Sequence, residues 1–137
     1  MIFKSYIIEK NLNTINNCKL FLFYGENDGL KKSLKERIKK ENINSEILNL
    51  YQDEVLASSD LLLNEVLNKS LFENKKIIFI NEATDKVFPL IEELINNIDN
   101  EKIFFFSNIL EKRSKLRNFF EKDNDCGICA CYQDNAL

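Results

Sequence analysis

The stretch Leu22-Phe23-Tyr24-Gly25-Glu26-Asn27-Asp28-Gly29-Leu30-Lys31-Lys32-Ser33 comes nearest, of all this sequence, to a known piece of chemistry. An apolar run meets a glycine, a second glycine follows, and a lysine-rich helical pattern opens with a serine in it. That is the outline of a phosphate-binding loop: backbone N–H groups wrap the phosphates, a lysine neutralises them and a hydroxyl holds Mg²⁺. The working pattern is G-x-x-x-x-G-K-[ST]. Here three residues separate Gly25 from Gly29, so the wrap is one residue short, and Leu30 stands in the lysine's place. Glu26 and Asp28 put negative charge where a triphosphate would sit. Lys31, Lys32 and Ser33 read at most as an offset remnant, because a shift of one position turns a helical side chain by about 100°.

The partner motif departs as well. An acidic pair normally closes the third strand, holding Mg²⁺ and polarising water. After Ile77-Ile78-Phe79-Ile80 this chain has Asn81-Glu82, an amide in place of the metal-side carboxylate. The two departures favour a strand–turn–helix joint, with glycine where the turn needs it, over a nucleotide hydrolase. His is absent, which removes the commonest general base and the commonest metal ligand together. Cys126, Cys129 and Cys131 contain a CxxC, but a structural zinc takes four ligands, usually from two paired turns, and the remaining Cys18 is distant. Cys129 and Cys131, two apart on a strand, share one face as small core residues. No metal and no cofactor is expected.

Composition narrows the class further. The 137 residues suffice for one domain with a real core, 45% of them hydrophobic and 11 of them Phe. No apolar run reaches the roughly 18 residues that span a bilayer, and Met1-Ile2-Phe3-Lys4 lacks the layout of a secretory signal. Four Cys without an export signal place the chain in a reducing cytoplasm with free thiols. A net charge of −3 gives no global attraction to nucleic acid, so any such contact rests on a local patch. Lys112, Arg113, Lys115, Arg117 and Lys122 form a basic stretch, diluted by Glu111 and Glu121; a weak, salt-dependent DNA contact is its functional reading and a solvated face the plain one, as it is for the lysine-rich first helix.

The elements that must position these residues follow a rhythm. Short apolar runs at Leu20 to Tyr24, Ile47 to Tyr51, Ile77 to Ile80, Ile103 to Phe106 and Ile128 to Tyr132 read as five strands. All but Ile47 to Tyr51 lack polar alternation, so both faces are covered, as in a mainly parallel sheet flanked by helices. Helical spacing joins Leu30, Leu34 and Ile38; Leu62, Leu63, Val66 and Leu67; Val87, Leu90, Ile91, Leu94, Ile95 and Ile98, with Pro89 in the first turn; and Leu116, Phe119 and Phe120. Strand–helix alternation of this kind predicts an α/β domain. Alternation over residues 3 to 9 does not settle whether Tyr6-Ile7-Ile8 adds an edge strand.

The ordered set Leu22 to Leu30, Ser70-Leu71-Phe72-Glu73-Asn74-Lys75-Lys76-Ile77-Ile78, Lys115-Leu116-Arg117 with Phe119-Phe120-Glu121-Lys122, and Cys131-Tyr132-Gln133-Asp134 resembles one family. It looks like the N-terminal domain of the delta subunit of bacterial DNA polymerase III, the clamp-loader subunit that opens the DNA sliding clamp. The resemblance covers nearly all of the chain. It implies a three-layer P-loop NTPase/AAA+-like domain over residues 1–137, with the helical and collar domains of the full-length family absent. It further implies a degenerate loop at Gly25, Gly29, Lys31, Lys32 and Ser33, no intrinsic activity, and membership of the DNA polymerase III holoenzyme as a non-catalytic component. Ser107-Asn108 match the place where an AAA+ ATPase reads the γ-phosphate, and only hydrogen bonding within the fold is expected of them.

The working surface it implies is a Leu-Phe wedge at a helix tip, Leu71 and Phe72 with Ser70, entering a pocket on the sliding clamp (the beta subunit), with the other clamp-loader subunits as further partners. The chemistry of the pair allows two fates. Next to the polar turn Glu73-Asn74-Lys75-Lys76, two large apolar side chains are poorly placed to reach the core together and offer an anchor; alternatively one folds back to cap the core. Lys75 and Lys76 would steer the chain towards an acidic clamp surface or simply be solvated. The rival readings are a P-loop nucleotide-binding enzyme with an atypical loop, and a delta-prime-like adaptor of the same fold.

Overall fold

The apolar runs become strands of one sheet because their side chains find cover on both sides. The computed structural model describes residues 1–67, 75–99 and 101–133. In chain order these form β1 (Ile2–Phe3), α1 (Ser5–Lys10), a 3₁₀ turn at Leu12–Ile15, β2 (Leu20–Tyr24), α2 (Asp28–Glu41), β3 (Glu46–Tyr51), α3 (Gln52–Ala57) and α4 (Ser59–Leu67). There follow β4 (Lys76–Asn81), a second 3₁₀ turn at Asp85–Val87, α5 (Phe88–Leu94), β5 (Lys102–Ser107), α6 (Lys115–Lys122) and β6 (Cys126–Ala130). The sheet runs β1-β6-β2-β5-β4-β3, and every described pairing is parallel. All of β2 and nearly all of β4, β5 and β6 are buried, whereas β3, the run with polar alternation, is a half-exposed edge.

The layers divide by side-chain parity. Phe21, Phe23, Phe79, Phe104 and Phe106 fill one face under α2 and the N-terminal segment, which contributes Leu34, Ile38, Ile8 and Ile15. Leu20, Leu22, Ile78, Ile80, Ile103 and Phe105 fill the other, packed on Val55, Leu62, Ile91, Leu116 and Phe120 from α3 to α6. Each fully buried Phe or Leu is worth about 1.5–3 kcal/mol relative to exposure, so the aromatic face alone is a large share of the driving force. Gly127 makes it possible: a Cβ there would lie 2.4 Å from the ring of Phe21, its register partner on β2.

The α/β class and the three layers stand as expected, with two corrections. Among the described residues there are six strands rather than five; Tyr6-Ile7-Ile8 lies in α1, and the added edge strand is Ile2–Phe3, too short to show alternation. The P-loop label also goes too far, because the loop after β2 spends its donors on the protein, as described below. The helix expected from Val87 to Ile98 is shorter than its spacing predicts: α5 stops at Leu94, where the Asn97 side chain donates to the Glu93 carbonyl at 2.8 Å, although Ile98 remains in the core.

Candidate functional site

The joint between β2 and α2 is built from backbone groups that point at each other. Gly25 turns at φ +125°, and a Cβ there would meet the Cys131 carbonyl at 2.3 Å, so only glycine fits. Its N–H donates to the Asn108 carbonyl at 3.1 Å, and the Asn27 N–H donates to the Cys131 carbonyl at 2.9 Å. The Asn27 side chain then caps α2, its Oδ1 accepting from the Leu30 N–H at 3.0 Å, while the Lys31 N–H donates to the Asn27 carbonyl at 3.1 Å. Glu26 turns back to accept from the Gln133 N–H at 3.0 Å. In a phosphate loop such donors converge on the ligand; here carbonyls just past β5 and β6, and the loop itself, take them. Gly29, by contrast, leaves room for a Cβ, which would meet Asn27 Oδ1 at 3.6 Å, an ordinary contact.

Of the offset remnant, only Lys31 faces inward; Lys32 and Ser33 lie on the exposed side of α2. Lys31 is buried, its Nζ donating to the Ser107 carbonyl at 2.9 Å and lying 3.1 Å from the Asp28 carboxylate. A cleft of about 300 Å³ opens beside it at the strand ends, lined by Asp28, Tyr51, Asn81, Glu82, Phe106 and Asn108 among others. Asn81 crosslinks that end of the sheet: it donates to Asn49 Oδ1 and the Leu50 carbonyl, each at 2.9 Å, and accepts from Lys35 Nζ at 2.9 Å. Lys35 also sits over the rings of Phe79 and Phe106, at 5.2 and 5.4 Å. Burial, and then the neighbouring Lys39 charge, lower its pKa. Glu82 is exposed and adopts φ +56°, a strained conformation for a residue with a Cβ. The Ser107 hydroxyl is buried without a hydrogen-bond partner among the described residues, while the Ser107 and Asn108 carbonyls accept from Lys31 Nζ and from the Gly25 N–H. Lys35 escaped the sequence reading because its partners come from β4 and β5, and helical spacing alone gave it a place among solvated lysines.

The basic stretch divides. Lys112, Arg113, Lys115 and Lys122 are exposed, but Arg117 turns inward to Glu121 (2.7 Å), the Leu110 carbonyl (2.9 Å) and the Tyr24 ring (5.1 Å). The CxxC divides too: Cys126 joins the core on the α6 side of the sheet, while Cys129 and Cys131 join the aromatic face with Cys18. Burial pushes the Cys126 thiol up, and the hydrogen bond to Cys129, with burial, does the same to Cys131.

Ser70, Leu71 and Phe72 lie outside the described residues. The elements on either side of them in the chain are α4, ending at Leu67, and β4, starting at Lys76. Lys75 is exposed, as a turn lysine should be, but Lys76 is only 6% exposed, which corrects its reading as a solvated steering charge. Its Nζ donates to the Glu65 carbonyl at 2.7 Å and to Glu65 Oε2 at 3.3 Å, with Glu46 Oε2 3.9 Å away.

Comparison with known proteins bears on the whole arrangement. A solved structure, the Bacillus subtilis DNA clamp loader delta protein (YqeN), superposes with a TM-score of 0.70 at 12% identity, covering 94% of this chain and 42% of that one. Uncharacterized protein 050L of Invertebrate iridescent virus 6 is 30% identical over 107 residues, 74% of this chain but 10% of that protein. This chain therefore spans less than half of the solved relative and about a tenth of the viral one. The sequence pattern of the family described as DNA polymerase III, delta subunit, matches residues 21–128. That span runs from β2 into β6, and the chain belongs to the DNA polymerase III delta subunit family.

Proposed function

We propose that residues 1–137 act as the first domain of a non-catalytic, cytoplasmic clamp-loader subunit in DNA replication, docking on the sliding clamp through Leu71 and Phe72 with Ser70. Membership of the delta subunit family over residues 21–128 carries this reading. The state of the β2–α2 joint supports the non-catalytic part. A triphosphate would have to displace the internal acceptors of the Gly25 and Asn27 N–H groups and pull Lys31 off the Ser107 carbonyl. Each exchange replaces a bond already made, so little net attraction remains.

The mechanism is mechanical. Burying both wedge side chains in an apolar pocket supplies about 3–6 kcal/mol before ordering costs. That energy opens a ring only to the extent that the open form binds better than the closed one. Sister subunits of the loader bind the ATP that times the cycle, and the exposed Lys112, Arg113, Lys115 and Lys122 add a weak, salt-dependent contact to DNA.

Titration against the cognate clamp tests the reading. Leu71→Ala with Phe72→Ala is expected to abolish binding while the melting temperature moves by no more than about 2 °C, as for surface substitutions. Parent-like binding, or a variant that fails to fold, removes the wedge.

A further inference from the structure

We propose that the groove between the second 3₁₀ turn, α5 and α6 docks an acidic peptide segment of a partner protein. An apolar side chain of that segment seats against Phe88 and Phe119, and its flanking carboxylates meet Arg113, Lys115 and Lys122. The inference is independent of Leu71 and Phe72. Two clefts adjoin here, of about 650 and about 550 Å³, and share Arg113 and Lys115. The first is walled by the half-buried rings of Phe88 and Phe119, with the exposed Lys122 beside them. The second takes in Lys86 and Ile109, an isoleucine that is 63% exposed. Each cleft therefore adds apolar ground of its own to the two cations they share. Asp85 fixes the walls, because it accepts from the Ser114 hydroxyl and from the Lys115 and Leu116 N–H groups and so ties the 3₁₀ turn to α6. A groove held in this way needs little ordering before a ligand arrives.

Shape and charge together select the occupant. A nucleic-acid base stacks on an open ring face. Phe88 and Phe119 instead meet edge to face at 73° and 5.6 Å, and Phe119 meets Phe120 in the same manner at 88° and 5.6 Å. The rings thus form a corner, which suits an apolar side chain approaching edge-on. The cations do not form a continuous track either. Asp85, Glu111 and Asp123 also line the two clefts, and they repel a strand that carries a charge at every nucleotide. A peptide can set a few carboxylates against the cations and leave gaps elsewhere. Arg113 is available to it: its 3.0 Å pair with Glu111 is exposed on both sides, and such pairs are worth little. The weak DNA contact proposed above uses this cationic rim without the aromatic corner.

Fluorescence anisotropy tests the groove with a labelled synthetic peptide, Asp-Asp-Phe-Asp-Asp-Leu-Asp, titrated with the full chain. A twin with serine in place of its Phe and Leu keeps the charge, and a labelled oligothymidylate is the nucleic-acid probe. The serine twin is expected to bind at least about tenfold more weakly, the least that burying one large apolar side chain supplies. Arg113→Glu with Lys122→Glu changes two exposed side chains, so the chain still folds, and it should weaken the peptide about tenfold or more. Lys32→Glu with Lys40→Glu makes the same change of charge on the exposed side of α2 and should leave affinity within about twofold. Phe88→Ala should weaken the peptide by about the same factor as the serine twin and leave oligothymidylate binding unchanged. Leu71→Ala/Phe72→Ala should bind the peptide as the parent does. Equal binding by the serine twin, parent-like binding in Arg113→Glu/Lys122→Glu, or no peptide binding at millimolar concentration overturns the proposal. Oligothymidylate binding that is lost in Phe88→Ala makes the groove a single-strand site and overturns it too. Peptide binding lost in Leu71→Ala/Phe72→Ala puts the peptide on the wedge instead of the groove, whereas failure of clamp docking alone leaves the groove standing.

Discussion

Asp85 holds two elements with one carboxylate. Its Oδ1 accepts from the Ser114 hydroxyl at 2.5 Å and the Leu116 N–H at 3.1 Å, and its Oδ2 accepts from the Lys115 N–H at 3.2 Å. Ser114 in turn caps α6 by accepting from the Arg117 N–H at 3.2 Å. Burial alone would raise the Asp85 carboxyl, but the Ser114 hydroxyl and the two backbone N–H groups outweigh it, and the pKa is lowered. A carboxylate depressed in the folded state stabilises fully above its unfolded value and loses that stabilisation as pH falls through the folded one. Asp85→Asn is therefore expected to cost about 1 kcal/mol at neutral pH, the scale of a lost cap at an exposed site. The gap to the parent should close as pH is taken from about 5 to about 2. Thermal melts across that range check it, and a gap independent of pH would show that the charge of Asp85 is irrelevant to its cap.

Elements meet through contacts that sequence spacing expresses unevenly, and Gly127 is the sharpest case. Its Cα faces Phe21, whose ring is buried against Phe3, Phe23 and Phe104 and has nowhere to move. Gly127→Ala should destabilise the domain by about 1–3 kcal/mol through overpacking, read as a lower denaturation midpoint with an unchanged slope. A neutral substitution would mean that the aromatic face is looser than its geometry. The four apolar runs without alternation were legible as strands because a parallel sheet covers both faces, and the alternating Ile47 to Tyr51 was equally legible as the odd one out, which the edge position of β3 explains. The two-residue β1 was not legible, since its partner β6 comes from the far end of the chain. The same reason hid the joint after β2: Gly25 was readable as a turn, but the acceptors on Asn108 and Cys131 are backbone carbonyls that no residue type announces. Lys76 was misread because a lysine at a strand entrance looks solvated until Glu65 of α4 is placed beside it.

At the scale of the whole molecule, the rival functions differ in what must bind. A ligand that prefers the folded state raises stability by RT ln(1 + [L]/Kd), so a nucleotide at about a hundred times its Kd adds about 2.7 kcal/mol. For a domain of this length that would lift the melting temperature by several degrees. A cleft lies at the strand ends beside Lys31, yet Lys31 is already committed to the Ser107 carbonyl and Asp28, and the loop donors face Asn108 and Cys131. Binding a phosphate there means breaking the contacts that hold β2, β5 and β6 together at that end, so gain at the ligand is offset by loss in the sheet. We therefore expect no change in melting temperature when Mg-ATP is added at millimolar concentration. A rise that vanishes in Lys31→Ala or Lys32→Ala would instead favour the P-loop enzyme. A flat response together with clamp binding that is lost in Leu71→Ala/Phe72→Ala leaves the delta-type reading, because a delta-prime-like adaptor would be flat to nucleotide and would not bind the clamp through that pair.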